Sequence, residues 1–237
     1  GRALRQASER ELSHGKGRRL REALDACRRS SEQDRATAVW EHAPRGLLEN
    51  MAAGRVIQRY VTIVDGWTFL DLRHALARAE KLSQVAANLS DEDVMKQVGA
   101  PGQFPEGRFL PETYAYVKGD SDVDILKRAH AAMARALDQA WTKRAADLPL
   151  ASADEALILA SIVEKETGRA DERPRIAGVF VRRLQQHMLL QTDPTVIYGM
   201  GAAYAGNIHK ADLGQDTQYN TYTRAGLPPT PIALPGR

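Results

Sequence analysis

Glu164 and Glu166 close the segment ASADEALILASIVEKETG at residues 151–168, and their placement there is suited to moving a proton. The segment reads as a helix, because Ser152 and Glu155 have the spacing of a capping box and Gly168 is a stop signal. At about 100° per residue, Ala156, Leu159, Ile162 and Val163 share one stripe; Glu166 falls next on it and Glu164 points away. A carboxyl carried into an apolar wall loses hydration in its charged form and becomes a general acid. The expectation is a shielded Glu166 as catalytic acid, with Glu164 as the second candidate.

The elements that must hold this acid follow from caps and periodicity. Ser121 caps a long helix to about Lys143, with Leu126, Ala129, Met133, Leu137, Ala140 and Trp141 at helical spacing. A further helix begins near Asp171, has Pro174 in its first turn, and is expected to bury Ile176, Val179, Phe180 and Leu184. Upstream, Leu47, Leu48, Met51 and Val56 suggest a short amphipathic helix ended by Gly54, and VIQRYVTIV a strand closing at Asp65-Gly66. Thr68 and Ser90 then cap two more helices. In PEGRFLPETYAYVKGDSD, Phe109, Tyr114 and Tyr116 are expected in the core, with stacking on sugar rings as the alternative. The remainder, 188–237, reads as loop-rich. There Gln191, Thr192, Asp193, Tyr198, Asn220, Tyr222 and Thr223 supply donors and acceptors between apolar rings, a lining that suits a polyhydroxylated substrate.

Composition narrows the function further. The 237 residues are 43% apolar, enough for one generous domain or two small ones. The excess of positive charge sits at the start: residues 1–45 hold 11 Lys and Arg against 7 Asp and Glu, and the rest is about neutral. That argues for a basic, disordered or unrelated segment and against a nucleic-acid partner. Cys27 has no partner cysteine, and no Cys/His spacing suits zinc, so neither a metal nor a cofactor is expected. Lone His187 and His209 read as surface or core residues, and Gly199-Met200-Gly201 lacks the strand and helix of a phosphate loop. An apolar run long enough to span a membrane is also missing from the sequence.

ASIVEKET, VFVRRL, LQTDPTVIYGMG, YNTYT and GLPPTPIALPG, with EGRFLPETYAY upstream, occur in one order across residues 47–237. Together they resemble the bacterial endolytic murein transglycosylase family, the YceG-like family. The resemblance implies an α+β fold: a helix-rich catalytic domain at 99–237, C-terminally incomplete, behind the truncated remnant of a small LysM-like subdomain at 46–98. It implies cleavage of the β-1,4 bond between N-acetylmuramic acid and N-acetylglucosamine with 1,6-anhydro ends, the second glutamate of EKE, Glu166, being the acid. It further implies peptidoglycan strands as partner, contact with peptidoglycan synthases, and the periplasmic face of the inner membrane, held by an upstream anchor. Gln191, Asp193, Tyr198, Asn220, Tyr222 and Glu106 are the expected substrate-binding residues. A muramidase-type hydrolase and a non-catalytic peptidoglycan-binding module are the alternatives. Two positions depart from the family pattern: Asp65 where a glutamate is expected, and Arg108 where an aromatic is usual.

Overall fold

The computed structural model describes residues 56–237; the basic segment 1–45 and the helix expected around Met51 lie outside the described residues. The described residues open with β1 (Arg59–Thr62), which pairs antiparallel with β2 (Thr113–Tyr116) so that Arg59 faces Tyr116 and Thr62 faces Thr113. The pleat sends Val61, Tyr114 and Tyr116 inward and leaves Tyr60 in water. Between the strands come α1 (Phe69–Ala77) and α2 (Asp91–Val98). After them follow α3 (Asp122–Thr142), α4 (Ala153–Glu166), α5 (Arg173–Gln185), α6 (Asp193–Met200), a 3₁₀ turn and the short α7 (Lys210–Gly214).

Local chemistry explains most of these starts and stops. Thr68 with Asp71, and Ser121 with Asp124, form complete capping boxes, and Ser90 accepts from the Asp93 N–H. Ser152 likewise accepts from the Glu155 N–H, but Glu155 reaches past it to the Ala151 N–H, so the expected box is only half made. At its other end α4 stops at Glu166, with Thr167 already extended, before Gly168 is reached. Gly99 ends α2 at φ 93°, the left-handed conformation that glycine adopts without a Cβ penalty.

Residues 58–237 form one compact unit of α+β type, in which the small sheet lies in the N-terminal half. A first core joins Val61, Phe69, Leu72 and Met95 to Phe109, Ile125 and Leu234. A second joins Ile158, Ile162 and Val163 of α4 to Phe180 of α5 and to Leu190 and Ile232. A small third core, with Leu110, Met133 and Leu157, ties α3 to α4. The β1–β2 pairing and the first core both join residues on either side of position 98. Phe109, Tyr114 and Tyr116 are core residues, which leaves none of them for a sugar. On α5, Val179 is 44% exposed where a buried position was expected; Phe180 takes the inward position. Arg108 finds a partner in Asp154 at 2.7 Å.

Candidate active site

The helix carrying Glu164 and Glu166 is buried on two sides, by α3 through Leu157 and by α5 through Ile158, Ile162 and Val163. Leu159, Ile162 and Val163 keep the stripe buried, and one turn later the helix ends beyond that core. Glu166 is therefore exposed, and the apolar wall expected around it is not there. It is not adrift in solvent, however. Its Oε1 accepts a short hydrogen bond from the Thr192 hydroxyl, which comes from the segment 191–223 expected to line a cleft.

Thr192 occupies the N-cap position of α6, where a threonine hydroxyl ordinarily accepts from a backbone N–H of the first turn. Here it makes no such cap and donates to Glu166 instead. Two other threonines hold it in place: the Thr192 N–H donates to Thr221 Oγ1 at 3.1 Å, Thr195 Oγ1 donates to the Thr192 carbonyl at 2.8 Å, and the Thr195 and Thr221 hydroxyls meet at 2.9 Å. All three are buried. Before them stands Gln191 at φ 53°, a conformation that a side chain other than glycine rarely adopts. Arg183 secures it: Nη1 donates to the carbonyls of Leu189 and Leu190 and to Gln191 Oε1 at 3.1 Å.

Asp193 follows at the first position of α6, exposed, and its Oδ1 accepts from the Tyr222 hydroxyl at 2.5 Å. Burial pushes the Tyr222 phenol up to about 12, and the hydrogen bond to Asp193 and the charges of Asp193 and Glu166 push the same way. Tyr222 thus stays a hydrogen-bond donor at neutral pH. Glu166, Gln191, Asp193 and the half-buried Tyr222 form one polar patch at the surface, with the buried Thr192 tying Glu166 to it. Three pockets of 460, 580 and 250 Å³ elsewhere on the molecule do not include Glu166.

The other expected residues are placed differently. Glu164 is not turned away from cover: its side chain is 6% exposed, Oε1 accepts from Arg173 Nη2 at 2.8 Å, and Oε2 accepts from the Gly236 N–H at 3.0 Å. A carboxylate engaged on both oxygens in this way is a structural clamp. Asn220 is 1% exposed; its amide donates to the carbonyls of Leu213 and Gln215, and its oxygen accepts from the Tyr222 N–H, so it staples its own loop. Tyr198 turns inward to Glu106, which is itself buried at 4% exposure. Among the described residues, no group of three His, Cys, Asp or Glu side chains could hold a metal ion. Thr192 was legible as a donor but not as the partner of Glu166; the sign in the sequence is Asp193-Pro194, a helix start that makes the preceding threonine an N-cap.

Comparison with known proteins adds to this geometry. The sequence profile of the YceG-like family matches residues 40–237. An endolytic murein transglycosylase of Bacillus subtilis (strain 168) is 31% identical over 207 residues, covering 80% of this chain and 56% of its own length. One of Streptococcus pneumoniae serotype 2 (strain D39 / NCTC 7466) is 33% identical over 136 residues, covering 55% of this chain and 24% of its own. The chain thus spans about half of the first relative and a quarter of the second. The crystal structure of a YceG-like protein from Listeria monocytogenes superposes with a TM-score of 0.57 at 28% identity, over 83% of this chain and 70% of the other.

Proposed function

The chain belongs to the YceG-like family, and from that premise we propose that it is an endolytic peptidoglycan lytic transglycosylase with Glu166 as its single acid and base. The observation that carries the reading is the Thr192–Glu166 hydrogen bond at the mouth of the polar patch. A carboxyl placed there is oriented and reachable.

In the proposed reaction, protonated Glu166 gives its proton to the glycosidic oxygen as the bond between that oxygen and C1 of N-acetylmuramic acid breaks. The N-acetylglucosamine end leaves as a 4-hydroxyl. The Glu166 carboxylate then takes the proton of the muramic C6 hydroxyl while O6 bonds to C1, giving a 1,6-anhydro end. Acid and base are the same group in sequence, and no water is consumed. Positive charge developing at C1 faces the Asp193 carboxylate and the polar groups of Gln191 and Tyr222. An open patch suits this substrate better than a closed cavity would, since a strand cut internally must enter and leave sideways. A sugar laid over Glu166 would supply the exclusion of water that the uncovered surface lacks.

Peptidoglycan lies outside the cytoplasmic membrane, so the reading places the domain on the periplasmic face of the inner membrane, with termination of strands made by peptidoglycan synthases as its task. No helix among the described residues is long and apolar enough to cross a membrane. One observation favours a second reading: Asp193 adds a carboxylate to the patch, and two carboxylates flanking a bond are the arrangement of a hydrolase. Mass spectrometry of muropeptides after incubation with purified glycan separates the cases. Anhydro ends that vanish in Glu166→Gln support the lyase; reducing ends mean muramidase chemistry. Intact glycan that still binds would reduce the molecule to a recognition module.

A further inference from the structure

Glu106 is a buried carboxyl that the proposed chemistry does not use, and it sits where three separate parts of the chain meet. Its Oε1 accepts from the Phe69 N–H at 2.9 Å, at the first residue of α1, and its Oε2 accepts from the Tyr198 hydroxyl at 3.1 Å, on α6. The next residue, Gly107, lies at φ 79° with no room for a Cβ, which would meet Pro231 Cβ at 2.6 Å. The turn bearing Glu106 is therefore pinned against 231–233.

Tyr198 is five residues beyond Asp193, roughly 7 Å along the helix axis. Its ring meets the Tyr219 ring edge-on at 4.9 Å, and the Tyr219 hydroxyl pairs with Thr230 at 2.8 Å. α6 is thus seated at its far end by Tyr198 and at its near end by the threonine cluster around Thr192. An eight-residue helix is short and stiff, so a change at Tyr198 is passed to Asp193 and Thr192.

We propose that Glu106 is a positioning residue: by accepting from Tyr198 its carboxylate fixes how α6 sits, and so places Thr192 and Asp193 against Glu166. Protonation would turn into a donor one of two oxygens that each accept from a donor, Oε1 from the Phe69 N–H and Oε2 from the Tyr198 hydroxyl. That change falls near neutrality. Burial pushes the Glu106 carboxyl up to about 7, with Asp71 of α1 pushing the same way; the N–H groups of Phe69 and Gly107 and the Tyr198 hydroxyl pull it down. Tyr198 is itself raised by burial, then by the charge of Glu106, with Tyr219 and Asp91 of α2 adding to it, and so remains the donor.

The activity part of this inference rests on Glu166 being the acid; the positional part does not. Amide spectra of the whole chain across neutral pH test the latter. The Thr192 and Asp193 amides should titrate with a midpoint near 7, and this titration should disappear in Glu106→Gln and in Tyr198→Phe while persisting in Glu166→Gln. Glycan cleavage by the first two variants should lose roughly tenfold in kcat with KM nearly unchanged, and the neutral limb of the pH profile should go with it. A purely structural Glu106 would lower the melting temperature and leave the shape of the profile as it was. The inference is overturned if those amides do not titrate near neutrality in the unaltered protein, or still do so in Glu106→Gln. Cleavage absent in the unaltered protein, with the amide titration present, would sink the transglycosylase reading alone.

Discussion

Glu164 and Glu166 stand two residues apart on α4, and their surroundings give them different work. Glu164 is covered by chain from far away: Gly236 donates to it, and a Cβ added to Gly66, whose N–H bonds to the Leu234 carbonyl, would lie 3.9 Å from its Cγ. With Arg173, whose side chain is 24% exposed, it forms a partly buried ion pair. Removing the Glu164 charge leaves the partly exposed Arg173 without its carboxylate partner, a cost of about 2 kcal/mol. Glu164→Gln is accordingly expected to lower unfolding free energy by about that amount in urea titration, while the molecules that stay folded go on producing the same glycan ends. Loss of product with unchanged stability would mean that Glu164, not Glu166, is the acid. Periodicity along α4 ranked these two the other way round for shielding. It reports which direction a side chain leaves the helix, and does not report where the neighbouring elements stop.

At the scale of elements, the structure rewards short-range signals and penalises long-range guesses. The side chains of Thr68, Ser90, Ser121 and Ser152 each accept from a backbone N–H three residues on, and each begins a helix where expected. α6 was not legible because its β-branched Thr195, Val196 and Ile197 and its Gly199 all argue against a helix. Its seat decides the matter. A Cβ on Gly199 would lie 2.8 Å from Thr217 Oγ1 and 3.1 Å from Tyr219 Cβ, so the glycine is required by closeness and not by φ. The polar residues of 188–237 show the same limit. Counting donors suggested that Asn220 and Tyr198 would face a ligand, yet a buried loop must first satisfy its own backbone, and both are consumed inside. For Gly199→Ala, the better helix propensity of alanine is worth about 1 kcal/mol, and the overpacking costs about 1–3 kcal/mol. The clash should win: the urea midpoint is expected to fall with an unchanged slope, and a midpoint that rises would show that α6 is not seated this tightly.

For the molecule as a whole, Glu106 lies where the first core meets the second. Phe69 and Phe109, stacked at 5.2 Å between ring centres, belong to the first core, and Tyr198 and Tyr219 pack against the second. A buried ionisable group at such a junction links global stability to pH. Burial raises the folded-state value of Glu106 from 4.5 to about 7, so between those two values the folded chain holds a proton that the unfolded chain has released. Below the lower value both states are protonated, and nothing is lost. As pH rises through the window the folded state must either keep a proton against the solution or carry a charge in a dry place, and its advantage over the unfolded chain shrinks. Above the window the loss is complete, at about 3 kcal/mol for a shift of this size. Other carboxylates titrate over part of the same range, which makes the difference between two proteins the useful quantity. Glu106→Gln cannot ionise there, so the stability of the unaltered chain relative to this variant should fall by about 3 kcal/mol as pH is raised from 4.5 to above 7. Urea unfolding of both proteins across that window measures it. A difference that stays constant with pH would show that Glu106 is not held in the dry junction between the cores.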